Sequence, residues 1–338
     1  MTADKHSQIE RACENRLMLF ALGASSGLGR NIADALGMKL CRHEERDFED
    51  GEQKARPLES VERADVYVVQ NLYGGPDESA NDKLCRLLFF IGALKDAGAA
   101  RVTAISPYLC YARKDRRTKL HDPVTTRYVA ALFEAVGTDR IITLDVHNTA
   151  AFENAFRCRT ITLTAALSFV EFAKSLGEKN LSVVSPDPGG VKRAELFREA
   201  LESVCGFPIA KGFVDKSRSS GVVTGDVFAG DVAGSTVLII DDLISTGHTL
   251  LRAANAVRTA GARRVVAFAT HGLFMPGSAE VVADPAIDNF VLTDSVPLFR
   301  LEGTSLRERI VVLPIGGIVA DAIRRLCEGR ALDDLLAF

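Results

Sequence analysis

The residues best suited to chemistry lie between Val237 and Thr249, in the stretch VLIIDDLISTGHT. Its first four residues are aliphatic, which is typical of a buried strand in a parallel sheet. Asp241 and Asp242 end this predicted strand. A polar loop follows before an apolar-periodic helix, and it is made of Ser245, Thr246, Gly247, His248 and Thr249. Such a turn at a helix N-terminus binds anions, because the first N–H groups are unpaired and the helix dipole is positive there.

The two acids restrict the kind of anion that this loop can bind. Carboxylates beside a bare phosphate would repel it, whereas Asp241 and Asp242 could face the hydroxyls of a sugar phosphate or a metal ion. An ordinary strand–turn–helix with a capped helix start would not need both an acid pair and a hydroxyl-rich loop. The stretch resembles the ribose-5-phosphate-binding motif that phosphoribosyltransferases share with phosphoribosyl pyrophosphate synthetases, and the rest of the chain must distinguish these two families.

Composition narrows the class of protein. The chain has 338 residues, which favours two domains, and 47% of them are hydrophobic. A net charge of −3 argues against a nucleic-acid-binding protein. Seven scattered cysteines suit a reducing cytoplasm, and no apolar run is long enough to span a membrane. We therefore expect a cytoplasmic protein with no nucleic-acid or membrane partner.

The N-terminal stretch from Gly23 to Gly29 imitates the glycine-rich fingerprint of short-chain dehydrogenases. Those enzymes need a catalytic Tyr-x-x-x-Lys, and none of the five tyrosines has a lysine four positions later. A glycine pattern without the accompanying chemistry is weak, so a dehydrogenase is disfavoured.

The segment from Arg46 to Glu52 is a polar turn with one phenylalanine, whose ring in most such loops would pack into the core. It also resembles the Phe-x-Asp-Gly-Glu segment that holds adenine in phosphoribosyl pyrophosphate synthetases. The resemblance implies that Phe48 stacks on the base and that Asp50 and Glu52 accept hydrogen bonds from its amino group. In that family the segment reaches into the site of a neighbouring subunit, which implies at least a dimer and possibly a hexamer.

Basic residues follow the predicted strand Arg101–Ile105, in the stretch from Pro107 to Arg117. Four cations within five positions at a strand end indicate a polyanion site, against the alternative of a solvated charged loop. The synthetase family reads Pro-Tyr-x-x-Tyr-Ala-Arg-Gln-Asp-Arg here, which implies ATP contacts from Arg113, Lys114 and Asp115. Lys114 stands where the family has glutamine.

A histidine follows another predicted strand, Ile141–Leu144, in the stretch Asp145-Val-His-Asn148. An isolated histidine is more often structural than functional. The family's Asp-Leu-His implies that His147 is a magnesium ligand and contacts ATP in the active site.

The stretch from Leu181 to Arg193 contains a predicted strand, an acid, a Gly-Gly turn and a helix that starts with basic residues. This arrangement again suits the binding of phosphate and a metal ion. It resembles the family's Ser-Pro-Asp-x-Gly-Gly, which implies that Asp187 helps to hold Mg²⁺ and that Gly189 and Gly190 face pyrophosphate.

Further along, Asp215-Lys-Ser-Arg218 matches the Asp-Lys-x-Arg that begins the family's mobile catalytic loop. Lys216 and Arg218 would then clamp the transferring phosphates, although charged residues of this kind are common on surfaces.

Five motifs in family order between residues 18 and 330 identify the chain as a member of the phosphoribosyl pyrophosphate synthetase family. The resemblance implies an α/β fold with two tandem phosphoribosyltransferase-like domains, each a mainly parallel sheet flanked by helices. We expect an extension over residues 1–17, one domain over 18–160 and a second over 161–338. The implied reaction moves the diphosphoryl group of Mg·ATP to the C1 hydroxyl of ribose 5-phosphate.

Two further departures from the family pattern leave alternatives open. The loop Ser245–Thr249 is nearer to that of plain phosphoribosyltransferases and of less regulated synthetases, and His121 stands where regulated members have arginine. Allosteric control by phosphate and ADP is therefore in doubt. The alternatives are a phosphoribosyltransferase, which would leave Phe48 and Arg113 without a purpose, and a non-catalytic regulatory subunit, for which loss of His147, Asp187 or Lys216 would be expected.

Overall fold

The computed structural model of the chain describes residues 16–219 and 222–336, with the backbone alone for residues 216–219 and 222–227. The described residues fall into two compact units. One contains the residues up to Thr164 together with the segment from Ile315 onwards, and the other is Ala165–Pro314. Among the residues described, no helix is both long and apolar enough to cross a membrane.

Strands and helices alternate through most of the chain. The strands are β1 (Leu17–Ala21), β2 (His43–Asp47), β3 (Gln53–Pro57), β4 (Asp65–Val69), β5 (Arg101–Ile105), β6 (Arg140–Leu144), β7 (Arg159–Leu163), β8 (Leu181–Ser185), β9 (Ala210–Ser219), β10 (Val222–Gly230), β11 (Thr236–Ile244), β12 (Arg264–Gly272), β13 (Asn289–Thr293) and β14 (Ile310–Leu313). The helices are α1 (Ser26–Leu36), α2 (Ala80–Asp96), α3 (Thr125–Ala135), α4 (Thr149–Ala155), α5 (Ala166–Ser175), α6 (Val191–Cys205), α7 (His248–Thr259), α8 (Ser278–Ala283) and α9 (Gly316–Glu328).

The first unit is built on a five-stranded parallel sheet in the order β1-β4-β5-β6-β7. Every residue of β1, β4 and β6 is buried, as expected when helices cover a parallel sheet. The strands predicted at 101–105 and 141–144 are confirmed, and the second is one residue longer. Because all five strands are parallel, the loops that follow them start at one edge of the sheet.

A separate antiparallel hairpin, formed by β2 and β3, belongs to the same unit. Its closing pair is Asp47 with Gln53, and the turn between them contains the predicted adenine-binding segment.

The C-terminal helix α9 lies in the first unit, which differs from the expected second domain of 161–338. Its apolar residues Val319, Ala320 and Ile323 are buried. Contact with α1 explains the placement, because Arg324 Nη2 donates to the carbonyl of Ala35 at 3.1 Å. Sequence order alone could not reveal this return of the chain.

The second unit contains a seven-stranded sheet in the order β10-β9-β8-β11-β12-β13-β14. The β9–β10 pair is antiparallel and the other pairs are parallel. The expected mainly parallel architecture is thus confirmed in both units.

Strand β11 continues beyond the acid pair, where the sequence indicated its end. Leu243 and Ile244 continue the parallel ladder by pairing with His271 and Gly272 of β12. The two acids therefore lie within the strand and not in the loop that follows it.

Candidate active site

Strand β11 and helix α6 meet at an acid pair bound by one arginine. Arg193 Nη1 lies 3.6 Å from Asp241 Oδ1 and 3.5 Å from Asp242 Oδ1. The backbone N–H of Asp242 donates to Asp241 Oδ1 at 2.9 Å. No feature of the sequence assigns a role to Arg193, because the distance between α6 and β11 cannot be read from residue order.

The acid pair has unusual electrostatics. Burial and the neighbouring charge of Asp242 raise the pKa of Asp241 well above its ordinary value, and the attraction of Arg193 only partly opposes this. A protonated carboxyl can donate a hydrogen bond while its ionised neighbour accepts one. The pair can therefore satisfy both the donor and the acceptor character of sugar hydroxyls.

The predicted phosphate loop is a compact turn between β11 and α7. Gly247 has a φ of 84°, and α7 begins at the next residue, His248. A Cβ at this glycine would lie 2.8 Å from Val281 Cγ1, so both conformation and space require glycine. The N–H of Met275 donates to the carbonyl of Ser245 at 2.9 Å and fixes the start of the loop. All five predicted loop residues thus lie at the N-terminus of one helix.

A second turn, after β8, carries the residues predicted to hold metal and pyrophosphate. The N–H of Gly190 donates to Asp187 Oδ1 at 3.1 Å, and Ser185 Oγ donates to the carbonyl of Asp187 at 2.6 Å. A Cβ on Gly190 would lie 2.8 Å from Ser185 Oγ, whereas Gly189 is exposed. Because β8 and β11 are parallel neighbours, this turn and the phosphate loop lie at the same edge of the second sheet.

The corresponding edge of the first sheet carries the basic stretch. Arg113 and His147 are exposed, but Lys114 and Asp115 are engaged within the protein. Lys114 Nζ lies 2.6 Å from Asp122 Oδ2, and Asn148 Nδ2 donates to Asp115 Oδ2 at 2.6 Å. The latter bond joins the loops after β5 and β6, so it brings Asp115 and His147 into the same region.

Asp122, which the sequence analysis did not single out, organises the loop after the basic stretch. Its Oδ2 also accepts hydrogen bonds from Thr118 and from the N–H of Lys119. The contacts with Lys114 and Thr118 hold the pKa of the Asp122 carboxyl far below its ordinary value. Lys114 therefore has a fixed anionic partner on its own loop.

Backbone strain concentrates at this edge. Three non-glycine residues, Tyr111, His121 and Asp145, have φ values of 60°, 67° and 40°. Such conformations cost free energy and are typical of ligand-binding segments.

The turn on the β2–β3 hairpin presents its aromatic ring outward. Phe48 is 39% exposed, so the alternative of a ring packed into the core is wrong. The N–H of Phe48 donates to the carbonyl of Glu52 at 2.8 Å, and that of Glu52 donates to Asp50 Oδ1 at 3.1 Å. The guanidinium of Arg46 lies 4.9 Å from the ring centroid. The three predicted adenine contacts therefore share one exposed turn.

Lys216 and Arg218 lie on the backbone of β9, which pairs with β10. Their side chains fall outside the part of the chain that the structure describes, so their catalytic role stays a prediction. The loop that these residues are predicted to begin includes residues 220 and 221, which also lie outside the described part of the chain.

Two family models match the chain. The N-terminal domain of ribose phosphate pyrophosphokinase matches residues 17–137, and the phosphoribosyl synthetase-associated domain matches residues 226–337. These matches fall in both units and include the Phe48 turn, the basic stretch and the phosphate loop.

Whole-chain comparisons agree with the family models. The ribose-phosphate pyrophosphokinase 2 of Enterococcus faecalis is 34% identical over 95% of this chain and 96% of its own. The ribose-phosphate pyrophosphokinase of Bacillus caldolyticus is 34% identical over 96% of this chain and 98% of its own. The crystal structure of phosphoribosylpyrophosphate synthetase from Mycobacterium smegmatis superposes with a TM-score of 0.83 at 32% identity, covering 93% of this chain and 99% of that one. The chain therefore belongs to the ribose-phosphate pyrophosphokinase family of transferases.

Proposed function

We propose that this enzyme transfers the β,γ-diphosphoryl group of ATP to the C1 hydroxyl of ribose 5-phosphate, giving phosphoribosyl pyrophosphate and AMP. The C1 oxygen forms a bond to the β-phosphorus, the bond from that phosphorus to the α,β-bridging oxygen breaks, and the hydroxyl proton is released. The observation that carries the proposal is the acid pair on β11, which lies beside the phosphate loop. The chain matches the family over nearly its full length.

The sugar phosphate would be recognised by the second unit. Asp241 and Asp242 would bind the ribose hydroxyls and displace the contact with Arg193. The 5-phosphate would be bound by Ser245, Thr246, Gly247, His248 and Thr249, whose loop offers unpaired helix N–H groups. The raised pKa of Asp241 supports this assignment, because a neutral carboxyl does not repel the phosphate.

The nucleotide would be recognised by residues of the first unit. Phe48 would stack on adenine, and Asp50 and Glu52 would accept from its amino group. Arg113, Lys114 and Asp115 would lie along the phosphates, with His147 nearby. The ion pair with Asp122 reduces the net charge that Lys114 offers, so we assign the larger share of phosphate binding to Arg113.

Lys216 and Arg218 would act on the transferring phosphates. Phosphoryl transfer needs in-line positioning and neutralisation of developing charge more than covalent help from the protein. Gly189 and Gly190 would face the pyrophosphate with their backbone.

We propose that Mg²⁺ accompanies ATP, and that Asp187 and His147 each serve as a protein ligand for such an ion. Within the described residues no group of three or more His, Cys, Asp or Glu side chains could hold a metal ion. Mg²⁺ in phosphoryl-transfer enzymes is held by one or two protein ligands together with phosphate oxygens and water. Isolated ligands such as Asp187 and His147 are therefore sufficient for Mg²⁺ bound with ATP. The carboxylate of Asp187 suits Mg²⁺ better than the imidazole of His147 does. When bound, the ion would neutralise phosphate charge.

The exposed Phe48 turn supports an oligomer in which the turn completes a neighbour's adenine pocket, with at least two subunits and possibly six. Light scattering under assay conditions tests this, and a fully active monomer would contradict it. We also propose a cytoplasmic location, since the six cysteines described form no disulfide with one another.

The deciding experiment incubates the protein with Mg·ATP and ribose 5-phosphate and measures AMP. Formation of AMP that depends on ribose 5-phosphate supports the proposal. Release of pyrophosphate from phosphoribosyl pyrophosphate and a free base would indicate a phosphoribosyltransferase, and no turnover with either substrate pair would indicate a non-catalytic subunit.

A further inference from the structure

The hairpin that presents Phe48 has almost no apolar anchor of its own. Within residues 43–57, all of which the structure describes, Ala55 is the only buried residue. Its two strands form a separate sheet of two, and an isolated hairpin of this size is marginally stable in water. Apart from Ala55 and the His43 ring, which packs against Phe20 and Phe90, its orientation depends on polar contacts with the rest of the first unit.

One buried arginine from α2 supplies these contacts. The side chain of Arg86 is 8% exposed, and its three nitrogens bind three different hairpin residues. Nε donates to Gln53 Oε1 at 2.8 Å, Nη1 donates to Glu45 Oε2 at 2.8 Å, and Nη2 donates to Asp47 Oδ1. The rigid fork of a guanidinium can hold several acceptors in fixed positions at once.

The acceptors are placed where they control the turn. Asp47 and Gln53 form the last ladder pair before Phe48 and after Glu52, so Arg86 binds both ends of the turn. Glu45 extends the network, because its Oε1 lies 2.7 Å from His43 Nε2 and accepts from the N–H of Gly23 at 2.7 Å. Arg86 thereby connects the hairpin to α2 and to the loop after β1.

The charge balance makes the arginine hard to replace. Three carboxylates, those of Glu45, Asp47 and Glu78, surround this one guanidinium, with Glu78 Oε1 at 2.9 Å from Nη2. Burial alone would raise the pKa of Glu45, but hydrogen bonds with His43 and Arg86 hold it below its ordinary value. Glu45 is therefore ionised at neutral pH and needs a cation beside it.

We propose that Arg86 is a positioning residue for adenine recognition, which fixes the Phe48–Glu52 turn through Asp47 and Gln53. The inference rests on the proposed function, since that function assigns adenine to this turn. Without Arg86 the hairpin would sample several orientations, and ordering it would reduce the net free energy of ATP binding. The loss should therefore appear in the Michaelis constant for ATP more than in turnover at saturation.

The experiment compares Arg86→Met and Arg86→Lys with a matched control, Arg56→Met. Arg56 also pairs with a hairpin carboxylate, with Nε 2.5 Å from Glu44 Oε2, but its side chain is 55% exposed and lies away from the turn. Steady-state kinetics with each substrate would be combined with circular dichroism and light scattering. We expect Arg86→Met to raise the KM for ATP about tenfold or more, since it removes several charged hydrogen bonds. The KM for ribose 5-phosphate and the values for Arg56→Met should stay within about twofold of the parent.

Arg86→Lys should give an intermediate KM for ATP, because an ammonium keeps the charge but cannot reach all three acceptors. If Arg86→Met does not fold, Asp47→Ala replaces it, since this side chain is 68% exposed and its removal leaves Arg86 paired. A KM for ATP equal to that of the control in folded Arg86→Lys and Asp47→Ala would overturn the proposal.

Phe48→Ala separates this failure from failure of the adenine assignment. If Phe48→Ala raises the KM for ATP and the Arg86 and Asp47 variants do not, only the positioning role is wrong. If Phe48→Ala also leaves the KM unchanged, the turn does not bind adenine, and the positioning proposal falls with that assignment.

Discussion

Arg193 and Asp242 join helix α6 to strand β11, with Nη1 and Oδ1 3.5 Å apart. The helix begins directly after the Asp187 turn and the strand carries the acid pair, so this ion pair ties the proposed pyrophosphate turn to the proposed ribose site within the second unit. A sugar that bound the acids would compete with Arg193 for them. The predictions below follow from this arrangement and from the residues around it.

Asp242→Asn should weaken the use of ribose 5-phosphate and leave ATP binding near normal. The change removes a buried negative charge that accepts hydrogen bonds from sugar hydroxyls, and such a loss commonly costs about 1.5–3 kcal/mol. The measurement is the KM for each substrate, with the exposed Glu199→Gln on α6 as the control. Equal loss for both substrates in a folded variant would reject the assignment of the pair to ribose.

Asp241→Asn should raise thermal stability at neutral pH while lowering activity. Because the native pKa of Asp241 is raised, the folded state keeps a proton that the unfolded state has lost, and stability falls as pH rises from the ordinary aspartate pKa through the native value. Asparagine removes this dependence and can still accept from the N–H of Asp242. We expect a gain in Tm on the order of 2 °C at neutral pH, which disappears near the ordinary pKa of aspartate. A gain that does not change with pH would show that titration of Asp241 is not its cause.

Gly247→Ala should damage the phosphate loop in two ways. A left-handed φ costs alanine about 1–2 kcal/mol, and its Cβ would lie 2.8 Å from Val281 Cγ1. The KM for ribose 5-phosphate should rise and Tm should fall. Val281→Ala in the same chain should recover only the steric part. Full recovery in the double variant would mean that the backbone conformation of Gly247 is not required.

Lys216→Ala should lower turnover far more than it raises either Michaelis constant. A charge that closes on the phosphates acts mainly in the transition state, where its loss costs on the order of 3 kcal/mol, or roughly a hundredfold in rate. Steady-state kinetics, with circular dichroism to confirm folding, provides the test. Turnover within a few-fold of the parent would place the neutralising charge elsewhere.

The sequence by itself determined the family, the alternation of strands and helices, and the position of the phosphate loop before α7. Apolar runs such as Val237–Ile240 have no polar face and must be buried, and Gly247 stands where a left-handed turn precedes a helix. These features depend on neighbours within a few positions along the chain, so they can be read from residue order.

Tertiary structure decided which distant residues share a contact. Arg193 lies 48 positions before Asp241, Arg86 lies 39 positions after Asp47, and α9 contacts α1 although the residues of the second unit lie between them in the sequence. In each case a long charged side chain could find many partners, and only the pairing of strands and the packing of helices selects one. For the same reason the ion pair of Lys114 with Asp122 was not expected: His121 adopts a left-handed backbone conformation directly before Asp122, whose Oδ2 lies 2.6 Å from Lys114 Nζ.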